Sequence, residues 1–134
     1  MTLYLLDTDI CSYIMKRSHL LLLEKLRSIE LESIAVSVIT EAELLYGIKL
    51  CSKPKLARAA FDGFIRHVQV LSWTREAAEH YADIRANLHK RGQLIGANDL
   101  LIAAHGRSLG ATIVTNNVRE FRRVQRLTVE NWAQ

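Results

Sequence analysis

Cysteine is scarce in this chain of 134 residues, and neither Cys11 nor Cys51 belongs to a metal-ligand spacing such as Cys-x-x-Cys. Two isolated cysteines cannot form a disulfide framework, so we interpret both as small buried side chains. The lack of Cys clusters and of His-x-x-x-His pairs argues against a zinc site. No G-x-G-x-x-G motif follows the first apolar run, which argues against a dinucleotide-binding enzyme.

Long hydrophobic runs are also missing. The longest aliphatic run, residues 20–23, is far shorter than the roughly 20 residues of a membrane-spanning helix. Met1 and Thr2 precede the first apolar segment directly and leave no room for a signal peptide, so we expect a cytoplasmic protein. With 49% hydrophobic and 24% charged residues, the composition fits one globular domain over residues 1–134.

The first apolar run has an acid at its end. Four large apolar side chains at residues 3–6 lead directly into Asp7. Such a run is typical of a strand that is buried on both faces, as in a parallel sheet. Because ligands of open α/β sheets bind outside the carboxyl ends of the strands, Asp7 is the first candidate for chemistry.

Apolar runs alternate with helical patterns along the chain, and no Asn-Gly hairpin signal separates two strands. This alternation predicts an α/β fold with a parallel sheet of four to five strands and helices on both faces. The predicted strands are residues 3–6, 34–38, 68–71, 111–115 and 127–129. The predicted helices are residues 10–15, 19–29, a segment ending at 50, one starting at Pro54, one running from 74 to Gly92, and 100–109.

Further acids and amides follow the predicted strands or begin the helices after them. Glu43 lies early in the helix after the second strand, Asp99 begins a later helix, and residues 116–120 follow the fourth strand. The carboxyl ends of parallel strands share one edge, so these groups can meet Asp7 there. Clustered carboxylates repel each other unless a cation holds them, and Mg²⁺ or Mn²⁺ suits a site of oxygen ligands.

Three of these acids also have a purely structural interpretation. The segment from Thr40 to Glu43 has the pattern of a capping box, in which Glu43 would bond back to the Thr40 amide. Residues 117–120 have the same pattern with an Asn cap, and Asp99 is suited to the start of a helix. Asp7 has no such alternative, because an acid that follows a buried run needs a partner.

Four motifs, taken in order, resemble those of PIN-domain ribonucleases and, more narrowly, of the VapC toxins of bacterial VapBC toxin–antitoxin modules. The motifs are residues 5–8 (LLDT), 37–44 (SVITEAEL), 95–99 (IGAND) and 114–117 (VTNN). The resemblance spans essentially the full chain and implies a three-layer PIN-like fold. It also implies a Mg²⁺- or Mn²⁺-dependent endoribonuclease that hydrolyses RNA phosphodiester bonds with the assistance of the metal.

The resemblance assigns roles to individual residues. Asp7, Glu43 and Asp99 match the acidic, metal-binding positions of the family. Glu120 is a candidate for a fourth catalytic acid. Many PIN domains have Asp at the fourth position, where this chain offers Asn116, Asn117 and Glu120, so the fourth ligand and the number of metal ions stay open. The residues expected to support the ligands through hydrogen bonds are Thr8, Asp9, Thr115, Asn116 and Asn117.

The net charge of +4 favours a polyanionic partner. The arginines next to the fourth motif are expected to contact RNA phosphates: Arg119, Arg122, Arg123 and Arg126. The resemblance further implies a homodimer and a VapB-type antitoxin that covers the active site. It implies tRNA as the substrate and, most narrowly, initiator tRNA cut in its anticodon loop.

Two other classes of protein fit part of the pattern. A catalytically silent PIN-like module would bind RNA or a partner without cutting, although a silent site has no need to keep like charges together. A receiver-like signalling domain would carry Lys at the end of a later strand, and residues 113–115 offer none.

Overall fold

Five short strands form one parallel sheet at the centre of the computed structural model, which describes residues 1–134. The strands are β1 (Tyr4–Leu6), β2 (Ile34–Ser37), β3 (Gln69–Leu71), β4 (Thr112–Val114) and β5 (Thr128–Glu130). Their spatial order is β3-β2-β1-β4-β5, and all neighbours pair in parallel. The chain therefore adds strands first on one side of β1 and then on the other, and this reversal opens a crevice at the carboxyl end of β1.

Helices cover both faces of the sheet, which confirms the predicted α/β fold. They are α1 (Thr8–Lys16), α2 (Leu20–Arg27), α3 (Val38–Leu50), α4 (Pro54–Ile65), α5 (Arg75–Lys90), α6 (Ala97–Leu109) and α7 (Val118–Phe121). A single 3-10 turn, Leu31–Ser33, precedes β2. None of the seven helices combines the length and the apolarity that a membrane crossing requires.

The central strand contributes to two hydrophobic cores, one on each face. Leu5 packs with residues of α5 and α6, such as Leu88 and Ile102, whereas Leu6 packs with α1 and β2 on the other side. Both leucines have no exposed surface. The apolar run at residues 3–6 was therefore a correct indication of a strand that is buried on both faces.

The structure corrects several boundaries. The first helix begins at Thr8, two residues before the predicted start at residue 10, and Asp7 is its N-cap. α3 begins at Val38, because the Ser37 hydroxyl accepts a hydrogen bond from the Ile39 amide at 3.1 Å and caps the helix there. α6 likewise begins at Ala97, three residues before the predicted start.

Two interpretations of single residues are wrong. Thr40 is buried inside α3 and caps nothing, so the capping box of Thr40 and Glu43 does not exist. Cys51 is exposed at the end of α3, and only Cys11 is the small buried residue that was expected of both cysteines.

Gly106 allows α6 to pack closely on the sheet. A Cβ at this position would overlap Cδ1 of Ile113 on β4 and would lie 3.7 Å from Cδ2 of Leu5 on β1. Such an overlap is not tolerated, so only glycine permits this approach with Ile113 in place. The distance from α6 to β1 and β4 therefore depends on the residue at position 106.

We expect Gly106→Ala to lower the free energy of unfolding by about 1–2 kcal/mol, because overpacking outweighs the gain in helix propensity. Ile113→Val removes the clashing Cδ1 and by itself costs about 1 kcal/mol. The double variant should be more stable than the sum of the two losses predicts, as measured by urea unfolding. Gly63→Ala is the matched control, since nothing lies within 4 Å of a Cβ built there on α4. Additive losses in the double variant would contradict the close contact.

Candidate active site

Asp7 lies at the junction of β1 and α1, with 4% of its surface exposed. Its Oδ1 accepts a hydrogen bond from the Thr8 amide at 2.7 Å, and its Oδ2 accepts one from the Thr115 hydroxyl at 2.7 Å. Burial, together with the negative charge of Asp9, raises the pKa of Asp7 to about 7 against the opposing effect of these hydrogen bonds. A carboxyl group with this pKa is close to ionisation at neutral pH and is suited to exchange a proton for a cation.

The pairing of β1 with β4 fixes the environment of Asp7. The Asp7 amide donates to the Val114 carbonyl at 2.8 Å, and this bond places Thr115, the residue directly after β4, beside the carboxyl group. The Thr115 amide in turn donates to the Glu130 carbonyl at 3.0 Å, so β5 holds the segment from the other side. Sheet register therefore positions the Asp7–Thr115 pair.

Glu43 connects three helices at the same edge. Its Oε1 accepts a hydrogen bond from the Thr8 hydroxyl on α1 at 2.5 Å, and its Oε2 accepts one from the Asn98 side-chain amide on α6 at 3.0 Å. Asn98 is not among the site residues predicted from the sequence. Its position directly before Asp99 in the third motif was the only indication of a role in the site.

Asp99 lies in the first turn of α6, next to Glu120 of α7. The Asn117 side-chain amide donates both to Asp99 Oδ2 at 3.3 Å and to Glu120 Oε2 at 2.9 Å. Burial raises the pKa of Asp99 to about 6, with further contributions from the charges of Glu120 and Glu43. Asn117 begins α7 but makes no capping bond with its side chain, which instead bridges the two acids.

Asp9 and Asn116 complete the edge. The Asp9 carboxylate accepts from the Ile10 amide at 2.7 Å and from the Asn116 amide at 3.2 Å. Burial raises the pKa of Asp9 above its usual range. Asn116 is itself held through its side chain by Asn131, at 3.3 Å. Asn116 thus attaches the loop between β4 and α7 both to α1 and to the C-terminal segment.

Five acids share this edge without a basic partner. The ion pairs of the protein are Arg58–Asp62, Arg107–Asp83 and Arg126–Asp83, and none involves Asp7, Asp9, Glu43, Asp99 or Glu120. Carboxylates that lack basic partners match the ligand preference of Mg²⁺ and Mn²⁺. As the side chains lie, no three of them are spaced to ligate one ion, so joint ligation requires side-chain rotation.

The four predicted RNA-binding arginines have different environments. Arg119 and Arg122 are exposed and make no side-chain hydrogen bond. Arg123 donates from Nη1 to the Leu94 carbonyl at 3.2 Å. Arg126, at a φ of 58°, lies 3.5 Å from the Asp83 carboxylate.

Comparison with known proteins identifies the family. The model of the PIN domain matches residues 4–127. Ribonuclease VapC2 of Haemophilus influenzae is 42% identical over 129 residues, which cover 96% of this chain and 97% of the relative. The tRNA(fMet)-specific endonuclease VapC of Shigella flexneri is 37% identical over 97% of this chain and 98% of the relative.

Solved structures agree with the sequence relatives. The crystal structure of VapBC2 from Rickettsia felis bound to a DNA fragment from its promoter contains a chain with a TM-score of 0.92 and 34% identity, covering 98% of this chain and 99% of that one. DNA-bound VapBC from Salmonella typhimurium gives a TM-score of 0.92 at 35% identity, with coverage of 98% and 99%. These matches confirm the resemblance inferred from the four motifs, and the chain belongs to the PIN-domain family and, within it, to the VapC ribonucleases.

Proposed function

We propose that this protein hydrolyses RNA phosphodiester bonds at the acidic edge that carries Asp7, Glu43, Asp99 and Glu120, with Mg²⁺ or Mn²⁺ as its cofactor. The observation that carries the proposal is the group of partly or fully buried acids that have no basic side chain within ion-pair distance. PIN-domain nucleases in general depend on divalent metals, and the VapC relatives are ribonucleases. A cation that neutralises the acids would also permit a polyanionic substrate to approach them.

Asp7, Asp99 and Glu43 are the residues that would hold the ion. When bound, the ion supplies an activated water and stabilises charge on the phosphoryl oxygens. Thr115 and the Thr8 amide fix the orientation of the Asp7 carboxylate from both oxygens. Thr8 also orients Glu43 through its hydroxyl.

Glu120 is the proposed proton acceptor. The charge of Glu120 raises the pKa of Asp99, which shows that the two carboxyl groups repel each other when both are ionised. In its ionised form, Glu120 would accept a hydrogen bond and then a proton from the attacking water. Asn117 holds both groups through one amide and keeps them in place during this exchange.

The relatives suggest the biological setting. Solved VapBC structures contain the VapC chain with its VapB partner, and the Shigella flexneri relative is a tRNA(fMet)-specific endonuclease. We therefore propose that the protein is the toxin of a type II toxin–antitoxin module, inhibited by a VapB-type antitoxin. A homodimer, tRNA as substrate, initiator tRNA as the specific target, and a cytoplasmic location belong to the same proposal.

Asp7→Asn and Asp99→Asn should each lower the rate of tRNA cleavage by about a hundredfold or more, because each removes a charge that holds the ion. Cleavage is measured on 5′-labelled tRNA with Mn²⁺ or EDTA, and Mn²⁺ affinity is measured separately by calorimetry. Asp62→Asn is the control, since that acid is exposed on α4 and pairs with Arg58. Undiminished cleavage in both site variants would reject the site. Binding of tRNA without any cleavage by the wild-type protein would favour the silent PIN-like module.

Stability in EDTA should fall as the pH rises from about 4 to about 7. In this window the Asp7 carboxyl keeps its proton in the folded state, where its pKa is about 7, and loses it in the unfolded state, where its pKa is 3.8. The folded state thus binds more protons, and the free energy of unfolding decreases by up to roughly 4 kcal/mol across the window. Urea unfolding at several pH values should show a smaller decrease for Asp7→Asn. An identical pH dependence in wild type and Asp7→Asn would contradict the burial of this carboxyl group.

A further inference from the structure

The guanidinium group of Arg91 is fixed in place by uncharged acceptors alone. Its Nη1 donates to Asn87 Oδ1 at 2.8 Å and to the Arg123 carbonyl at 3.0 Å, and its Nη2 donates to Gln93 Oε1 at 2.8 Å. These three bonds use three of the five N–H donors of an arginine, which leaves two, one at Nε and one at Nη2. Arg91 is exposed at the end of α5, so the remaining donors are available to a ligand.

Arg123 belongs to the same set of hydrogen bonds as Arg91. Its Nη1 donates to the Leu94 carbonyl at 3.2 Å, and its own carbonyl accepts from Arg91. The two arginines therefore connect the end of α5, the loop over residues 91–96 and α7. That loop leads directly into α6 with Asp99, and the Arg123 amide donates to the Glu120 carbonyl of α7 at 3.0 Å, so the arginine pair is attached to the segments that carry these acids.

A second pair of arginines, Arg107 and Arg126, differs from the first because an acid lies beside it. Arg107 donates to the Asp83 carboxylate, and Arg126 lies 3.5 Å from the same oxygen. Arg91 and Arg123 have no carboxylate within 4 Å. The positive charge of Arg91 and Arg123 is consequently not neutralised within the protein, whereas Asp83 offsets part of the charge of the other pair.

We propose that Arg91 and Arg123 form a binding site for the sugar-phosphate backbone of the RNA substrate, on the flank of the acidic edge. This inference rests on the proposed ribonuclease function and goes beyond it, because it names the residues that hold the strand next to the scissile bond. Guanidinium groups recognise phosphate oxygens with paired donors. Groups already fixed by hydrogen bonds lose little side-chain entropy when the strand binds.

Arg91 also has a structural function, because its three hydrogen bonds join α5 to α7. An experiment must distinguish this function from phosphate binding. The two functions respond differently to substitution by lysine. Arg91→Lys keeps the positive charge but loses the three-bond geometry, so it should lower the melting temperature and retain most of the electrostatic attraction to RNA. Arg91→Gln loses the charge and should weaken RNA binding.

The test measures the affinity for fluorescein-labelled bulk tRNA in EDTA, which prevents cleavage, over a series of KCl concentrations. Arg91→Gln and Arg123→Gln should each weaken binding about fivefold near 0.1 M salt and reduce the slope of log affinity against log salt by about 0.7–0.9. Arg91→Lys should restore the slope. Arg58→Gln is the matched control, because the Asp62 carboxylate pairs with that exposed arginine on α4, and it should change affinity less than about twofold.

Wild-type affinity and slope in both Arg91→Gln and Arg123→Gln would overturn the inference. Equal losses in Arg58→Gln, or a slope in Arg91→Lys as low as in Arg91→Gln, would overturn it as well. Cleavage of the same tRNA by the wild-type protein with Mn²⁺ is measured in parallel. Cleavage that persists while the arginine variants bind normally rejects this binding site alone, whereas an inactive wild type rejects the proposed function.

Discussion

The pairing of β1 with β4 forces the Asp7 carboxyl group into a nearly inaccessible position, and the organisation of the site depends on this constraint. Burial of a carboxylate is unfavourable unless charged or hydrogen-bonding partners compensate for it. The chain provides the Thr115 hydroxyl and the Thr8 amide, but no lysine or arginine. The pKa of Asp7 is raised because these hydrogen bonds compensate only in part for the burial of its charge. A divalent cation is the partner that would complete the compensation.

A nuclease with an acidic centre must still attract a polyanion. The distribution of arginines offers a solution, because the acids have hydroxyl and amide donors as partners while Arg91 and Arg123 have carbonyl and amide acceptors. Charges of both signs are therefore held in place without neutralising one another. This separation leaves negative charge for the cation and positive charge for the RNA strand.

The features of the fold that depend on hydrophobic periodicity and on where the strands end could be predicted from the sequence. Four apolar residues before Asp7 indicated a buried strand, and strand alternation indicated a parallel sheet whose edge would gather the acids. The sequence could not predict the partners of Glu43. The capping-box pattern at Thr40 is short and degenerate, and the cap formed instead at Ser37, whose hydroxyl also contacts the buried His105 ring at 2.8 Å. Likewise, the need for glycine at position 106 comes from Ile113, a contact between an α6 residue and β4 that no local pattern encodes.

Asp7, Glu43 and Asp99 are proposed to hold one divalent ion together. The decisive measurement is an anomalous difference map, collected near the manganese absorption edge from a crystal of the protein grown with Mn²⁺. We expect a peak about 2.0–2.3 Å from carboxylate oxygens of Asp7 and Asp99, with Glu43 rotated away from Asn98 towards the ion. A map with a peak elsewhere, or with none at a Mn²⁺ concentration that supports RNA cleavage, would contradict it.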